Sequence, residues 1–467
     1  MLSGSRVVVS RASMTVGRLG LAALFVASIA AAVPADALAR QQRDGDALPD
    51  TLDFLFQLEN GLPGVLVTDP TMDRLRFSVF VRAGWGDDRT QGVVEMVAQM
   101  VERGPCWMGP GRFEEALREI DAEISVQLSP DMAEVAFSAS LEDPYQALRL
   151  FSGAVRAPCL DRAALDDFQA SDTFGASFSE VDDSTLAAAG DLNNPFALVG
   201  FVQDFLFRDH ENTTLVPALE AAAITLDELN EFYREYFQPT NSVLSVSGPD
   251  SAMQLLEHVA QMFSDWEPRN VPVLKRALNF PATAGKTFFV ETPNPDGTGF
   301  WLSMGLGLPR VDVERRAEVD MLAGVLARLL GANVDRVAEV EVRPFVHVRG
   351  PGVLVVRAWV GGGRDVRDVK SEILSAVNTL RESIVEDATL DSVRESLAGS
   401  EYASMFRTGI QVSRTFAYEY AKWGAFRHLY LYPRWIEDVS ARDLQRAAMR
   451  YLDPGSMNFF IVGPNRP

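Results

Sequence analysis

The sequence predicts an α+β protein of two homologous α/β-sandwich domains that close on a clam-like cleft. Three observations predict it. The chain is 467 residues long and 47% hydrophobic, enough for more than one core. A segment near its middle returns near its end. Strands followed by helices recur in each half. The repeated segment reads Tyr236-Phe237-Gln238-Pro239, an apolar strand from Val243 to Val246, then Gly248-Pro249; it returns as Tyr451-Leu452-Asp453-Pro454, Phe459 to Val462, Gly463-Pro464. The Tyr, Pro and Gly positions are each offset by the same 215 residues, as are Leu229 and Leu444 in the preceding helical patterns, which begin near the N-cap residues Thr225 and Ser440.

The elements follow in order. Residues 54–58 and 65–68 flank Asn60-Gly61, a hairpin signal. Residues 74–82 alternate, with Leu75, Phe77, Val79 and Val81 on one face. A turn at residues 84–88 leads into a helix marked by Val93, Val94, Val97, Met100 and Val101. Then come a helix at 112–120, strands at 123–128 and 134–141, and a helix at 144–155. The second half offers strands at 287–291, 300–306 and 352–359, with helices at 313–330 and 366–384. This divides the chain into a domain over 48–255, a Pro-containing linker over 256–284, and a domain over 285–467.

Residues 14–39 read as an export signal within a leader of residues 1–39: Arg18, an apolar run from Leu19 to Val33, and small-x-small cleavage sites ending at Ala37 or Ala39. No later segment is long and apolar enough to span a bilayer, so the expected location is a bacterial periplasm. There Cys106 and Cys159 form a disulfide or remain two buried thiols; sequence leaves both open. The net charge of −21 excludes a nucleic-acid partner, which needs clustered Lys and Arg. Four histidines and two cysteines argue against a conventional zinc cluster.

Several stretches carry a family resemblance. They are Leu58-Glu59-Asn60-Gly61-Leu62, Val81-Arg82-Ala83-Gly84, Phe113-Glu114-Glu115-Ala116-Leu117, the strand from Asp121 to Val126, Phe205 to His210 before a Leu-Asp-Glu-Leu helix, and the two Tyr-x-x-Pro…Gly segments. In this order, and duplicated, they resemble the M16 peptidases (insulinase, pitrilysin, mitochondrial processing peptidase). The resemblance implies a LuxS-like metallohydrolase fold, and a zinc motif His-x-x-Glu-His on the helix after the Arg-Ala-Gly turn. Here Glu95, Ala98 and Gln99 stand at the three motif positions. A glutamate from a helix near residues 160–176 would complete the family's site, but only Asp161, Asp166, Asp167 and Asp172 offer carboxylates there. The family's substrate-gripping arginine and tyrosine map to Val340 and His347, beside Arg343.

The expectation is a catalytically inactive M16 homologue that holds no zinc or other cofactor. It would pair with an active zinc-dependent M16 peptidase to help form a peptide chamber, with Ile124, Ser125, Val126 and Gln127 as an edge for extended peptides. The alternatives are a structural subunit of the core-protein type, or a metallopeptidase with altered ligands around Glu95. Gln254-Leu255-Leu256-Glu257-His258 is one substitution from the zinc motif but sits on an amphipathic stripe and reads as a surface Glu-His pair. His210 and His428 read as structural or packing residues, and Gly361-Gly362-Gly363 as a strand-to-helix turn.

Overall fold

The computed structural model describes residues 8–11, 54–177, 218–271, 285–291, 299–333, 337–348, 351–361 and 365–463. The export signal at 14–39, His210 and Gly362-Gly363 lie outside them.

The first half builds a seven-stranded sheet. Its strands are β1 (Val8–Arg11), β2 (Phe54–Gln57), β3 (Pro63–Thr68), β4 (Leu75–Val81), β5 (Glu123–Leu128), β6 (Ala133–Ala139) and β7 (Ser242–Gly248), in the order β1-β2-β3-β7-β4-β6-β5. Strand β1, inside the stretch read as leader, is the outermost and pairs antiparallel with β2. Its helices include α1 (Val93–Glu102), α2 (Pro110–Glu119), α3 (Pro144–Arg156), α4 (Arg162–Gln169), α5 (Leu226–Tyr236) and α6 (Leu256–Phe263). The second half gives a five-stranded sheet from β8 (Thr287–Glu291), β9 (Gly299–Leu308), β10 (Val337–Phe345), β11 (Gly352–Gly361) and β12 (Asn458–Gly463). Its helices include α7 (Arg316–Asn333), α8 (Val366–Glu382), α9 (Gly409–Trp423), α10 (Arg427–Asp438) and α11 (Ala441–Tyr451).

The second sheet runs β8-β12-β9-β11-β10, the same arrangement as β3-β7-β4-β6-β5 in the first. The repeated segment therefore has one topological role: β7 lies parallel to β3 and antiparallel to β4, and β12 parallel to β8 and antiparallel to β9. The offset persists in the caps. Thr225 and Glu228 form a capping box at α5, and Ser440 and Asp443 form its counterpart at α11. Tyr236 and Tyr451 are both buried, each followed by a short 3₁₀ turn beginning at a proline.

Alternation along the strands decides what meets what. Leu66, Leu75, Phe77, Val79, Leu244 and Val246 point into a core closed by α1, α3 and α6. Helix α6 falls within the stretch read as linker, yet Leu256, Val259, Ala260 and Phe263 belong to this core. The hairpin side chain of Asn60 donates to the carbonyls of Phe263 (2.7 Å) and Trp266 (3.0 Å), so first-domain packing reaches Trp266. The second sheet does likewise: Leu302, Met304, Leu306, Leu354 and Val356 face α7, α8 and α11, while Trp301, Val353, Val355, Phe460 and Val462 join the cluster of the first core.

The opposite face of the first sheet is covered from the other half of the chain. Val65, Val67, Phe80 and Val243 meet Val412, Phe416, Ala417 and Ala421 of α9. Burying side chains of this size stabilises the contact by about 2 kcal/mol each. Polar ties reinforce it: Arg414 makes a two-pronged pair with Glu134 on β6 (2.9 and 2.6 Å), the Gly409 N–H donates to Asp69 (2.9 Å), and Arg82 donates to the carbonyl of Ala421 (2.8 Å). The hydrophobic pattern does not delimit α9, because Ser413 and Glu419 are buried within its apolar stripe, nor α10, which carries Pro433. It also passes over β10. Among the described residues no helix is long and apolar enough to cross a membrane.

Candidate functional site

Helix α1 leaves the turn at Gly84, where backbone is packed on backbone: a β-carbon on Gly84 would stand 1.9 Å from the carbonyl oxygen of Ser129. The turn is seated on the β5–β6 hairpin by N–H donation from Gly86 to Pro130 (2.8 Å), and Asp87 accepts the Gly84 N–H (2.8 Å). Asp88 starts the helix, accepting the N–H groups of Gly92 (2.9 Å) and Val94 (3.0 Å). Gly92 has φ +90°, a conformation costly for other residues. Burial and then the Glu95 carboxylate push the Asp88 carboxyl well above its ordinary pKa, against the pull of those two N–H groups.

The face of α1 that matters carries Glu95, Ala98 and Gln99. Val93, Val94, Met96, Val97, Met100 and Val101 are all buried. Ala98 is only 4% exposed and offers a methyl group; Glu95 and Gln99 are half-buried. Three of the downstream aspartates have other work. Asp161 caps α4 by accepting the Ala164 N–H (2.8 Å), Asp166 pairs with Arg162, and Asp167 pairs with Arg103 at the end of α1. Among the described residues the one three-ligand cluster of metal-binding side chains is Cys106, Cys159 and Asp161, and its cysteines are joined in a disulfide. A thiol spent in a disulfide is not a thiolate ligand. Beside the Glu95 carboxylate, Ala98 offers a methyl group and Gln99 a neutral amide, and among the described residues no three zinc-binding side chains gather there, so the donor set does not fit zinc.

The second candidate pair is also placed. Val340 is half-buried on β10, packed against the second core. His347 is buried, its Nδ1 3.7 Å from Asp131 Oδ1, and the Val348 N–H donates to Asp131 Oδ2 (2.7 Å). Asp131 sits in the hairpin that supports the Gly84 turn, so His347 is held inside the junction of the two domains. Arg343 pairs with Glu341, which also lies 3.7 Å from Arg357.

The edge residues Ile124, Ser125, Val126 and Gln127 lie on β5, the outermost strand of the first sheet on that side. Two features escape a reading of motifs. Glu102 ends α1 on the same face as Glu95 and Gln99, and accepts the Val126 N–H at 2.6 Å. An acidic residue at a helix C-terminus opposes the helix dipole, and that mismatch was a signal available in the sequence. Glu419 on α9 bridges Arg316 (2.8 Å) and His428 (2.8 Å), with Asp320 and Tyr432 adjoining. Burial opposes its ionisation, yet Arg316 and His428 hold its carboxyl well below the ordinary range. His428 is thus a buried hydrogen-bonded residue. His258 rests against the Tyr145 ring, 4.5 Å between centroids.

The fold is that of a two-domain α/β protein of the M16-like peptidase architecture. Residues 223–397 match the family model described as "Peptidase M16 inactive domain". Three solved structures share its fold. A protease from Helicobacter pylori is 16% identical with a TM-score of 0.67, covering 88% of this chain and 99% of its own. A peptidase M16 inactive domain from Pseudomonas fluorescens is also 16% identical with a TM-score of 0.67, covering 88% and 98%. The periplasmic protease PqqL from Escherichia coli is 14% identical with a TM-score of 0.68, covering 90% of this chain and 48% of its own. No curated protein matches the chain by sequence.

Proposed function

We propose that this protein is a non-catalytic M16 subunit of the bacterial periplasm that pairs with an active zinc-dependent M16 peptidase and helps to form its peptide-binding chamber. One observation supports the proposal: α1 lies beside the β5 edge, and Ala98, which the resemblance sets where the family has its water-activating glutamate, offers only a buried methyl group. Without a base at Ala98 or imidazoles at Glu95 and Gln99, metal-assisted hydrolysis has no starting point. The retained edge strand supports peptide binding by strand addition, with Ile124, Ser125, Val126 and Gln127 as its binding segment. The signal-like segment and the disulfide between Cys106 and Cys159 support export.

The test is co-purification with an M16 peptidase from the same genome that keeps His-x-x-Glu-His, followed by peptide-cleavage assays with and without this chain. A stable complex with altered cleavage is the expected result. An unchanged partner that elutes separately refutes the pairing, and stoichiometric zinc with cleavage by this chain alone refutes the non-catalytic reading.

A further inference from the structure

We infer that Glu102 is a built-in gate on the β5 edge: its carboxylate stands where an incoming strand would place a carbonyl, and an extended peptide adds to this edge only by displacing it. The inference rests on the peptide-edge reading above and names how that edge is controlled.

The ladder decides which groups point outward. The Ser129 N–H donates to the Met132 carbonyl (2.8 Å), closing the β5–β6 hairpin, and the register pairs Gln127 with Glu134, Ser125 with Ala136 and Glu123 with Ser138. In an antiparallel pair, hydrogen-bonded residues alternate with unbonded ones, so these three turn their backbone groups toward β6. The N–H groups of Ile124, Val126 and Leu128 therefore face the open side, where the sheet has no further strand. Val126 is the middle one of the three, and its N–H is donated to Glu102 Oε1 at 2.6 Å.

Glu102 is well placed to act this way. It is the last residue of α1, which packs alongside β5, so its side chain reaches the edge without disturbing either element. The cation next to it in sequence, Arg103, is turned to Asp167. Burial raises the Glu102 carboxyl pKa while the Val126 N–H opposes that rise, so its carboxylate depends on the strand it covers. An edge with unpaired N–H groups pairs with other chains indiscriminately, and a single carboxylate at its centre blocks that without closing the site permanently.

The test compares the full-length protein with Glu102→Ala and Glu102→Gln, using a fluorescein-labelled extended decapeptide of Lys, Thr and Val. Amide exchange at Val126 should quicken by about tenfold in Glu102→Ala, and the peptide should bind about tenfold more tightly than to the wild type, reflecting one lost charge-assisted hydrogen bond. Glu102→Gln keeps an acceptor without charge and should fall between; if the alanine variant does not fold, this variant carries the comparison. Equal peptide affinity in variant and wild type overturns the gate while leaving the peptide edge standing. No binding to either protein at millimolar peptide overturns the edge reading and the gate with it.

Discussion

Asp131, in the β5–β6 hairpin, and His347, just beyond β10, face each other in the junction of the two domains with Oδ1 3.7 Å from Nδ1, both 8% exposed. Burial would raise the aspartate's pKa, but His347 and the Val348 N–H hold its carboxyl well below the ordinary value of 3.8. A carboxylate whose folded pKa is depressed contributes stability that is complete above its unfolded pKa and is lost as pH falls toward the folded value. Urea midpoints should therefore decline as pH drops below 3.8. Asp131→Asn should lower stability by about 2 kcal/mol at neutral pH and flatten that acid limb. An unchanged acid limb in the variant would show that the pair does not couple the domains.

Asp88 titrates with the opposite sign. Its folded pKa lies above the unfolded one, so its contribution is full below the unfolded value of 3.8 and falls as pH rises through the folded value. Asp88→Asn keeps an acceptor oxygen for one of the Gly92 and Val94 N–H groups and loses the other, while it removes the charge that burial and Glu95 oppose. Its stability should stay within about 1 kcal/mol of the wild type, whereas Asp88→Ala, which loses the cap, should cost about 1 to 2 kcal/mol. Chemical denaturation of both variants at neutral pH checks the ranking.

The disulfide between Cys106 and Cys159 closes a loop with a sequence separation of 53. It ties the segment after α1 to the segment after α3, where Pro105 and Pro158 form an isolated bridge and the Cys159 N–H donates to Gly104 (3.0 Å). On the chain-entropy model, opening a loop of this size costs about 4 kcal/mol. The double variant Cys106→Ser/Cys159→Ser should unfold at correspondingly lower denaturant, and reductant should destabilise the wild type but not the variant.

Arg414 and Glu134 join α9 to β6, with Glu134 buried and Arg414 half-exposed. Arg414→Ala leaves a buried carboxylate without its partner and should cost about 2 kcal/mol. Glu134→Gln/Arg414→Ala should cost less than the two single changes summed, because each single change already removes the pair. Additive costs in that cycle would mean that the interlock rests on Phe80, Phe416 and their neighbours alone.

Much of the architecture is legible in one dimension because it is periodic. The 215-residue offset anticipates that β7 and β12 occupy equivalent places, and the alternation of Leu75, Phe77, Val79 and Val81 identifies the face that meets the first core. The helix that carries Glu95, Ala98 and Gln99 is likewise legible by position, since α1 starts after the Gly84 turn as its spacing predicts. Helix α9 is not legible, because Ser413 and Glu419 interrupt its stripe: Ser413 turns its hydroxyl back to the Ile410 carbonyl within the helix, and the partners of Glu419, Arg316 and His428, lie on α7 and α10.

The sequence by itself determined the duplication, the strand-and-helix order of each half, and the side chains that α1 carries; these follow from local periodicity and residue identity. Only the tertiary structure decided that α9 crosses to cover the first sheet, that His347 is held by Asp131, and that Glu102 takes the outward N–H of Val126. Each of these joins side chains or strands that no short-range period relates, so packing alone brings them together.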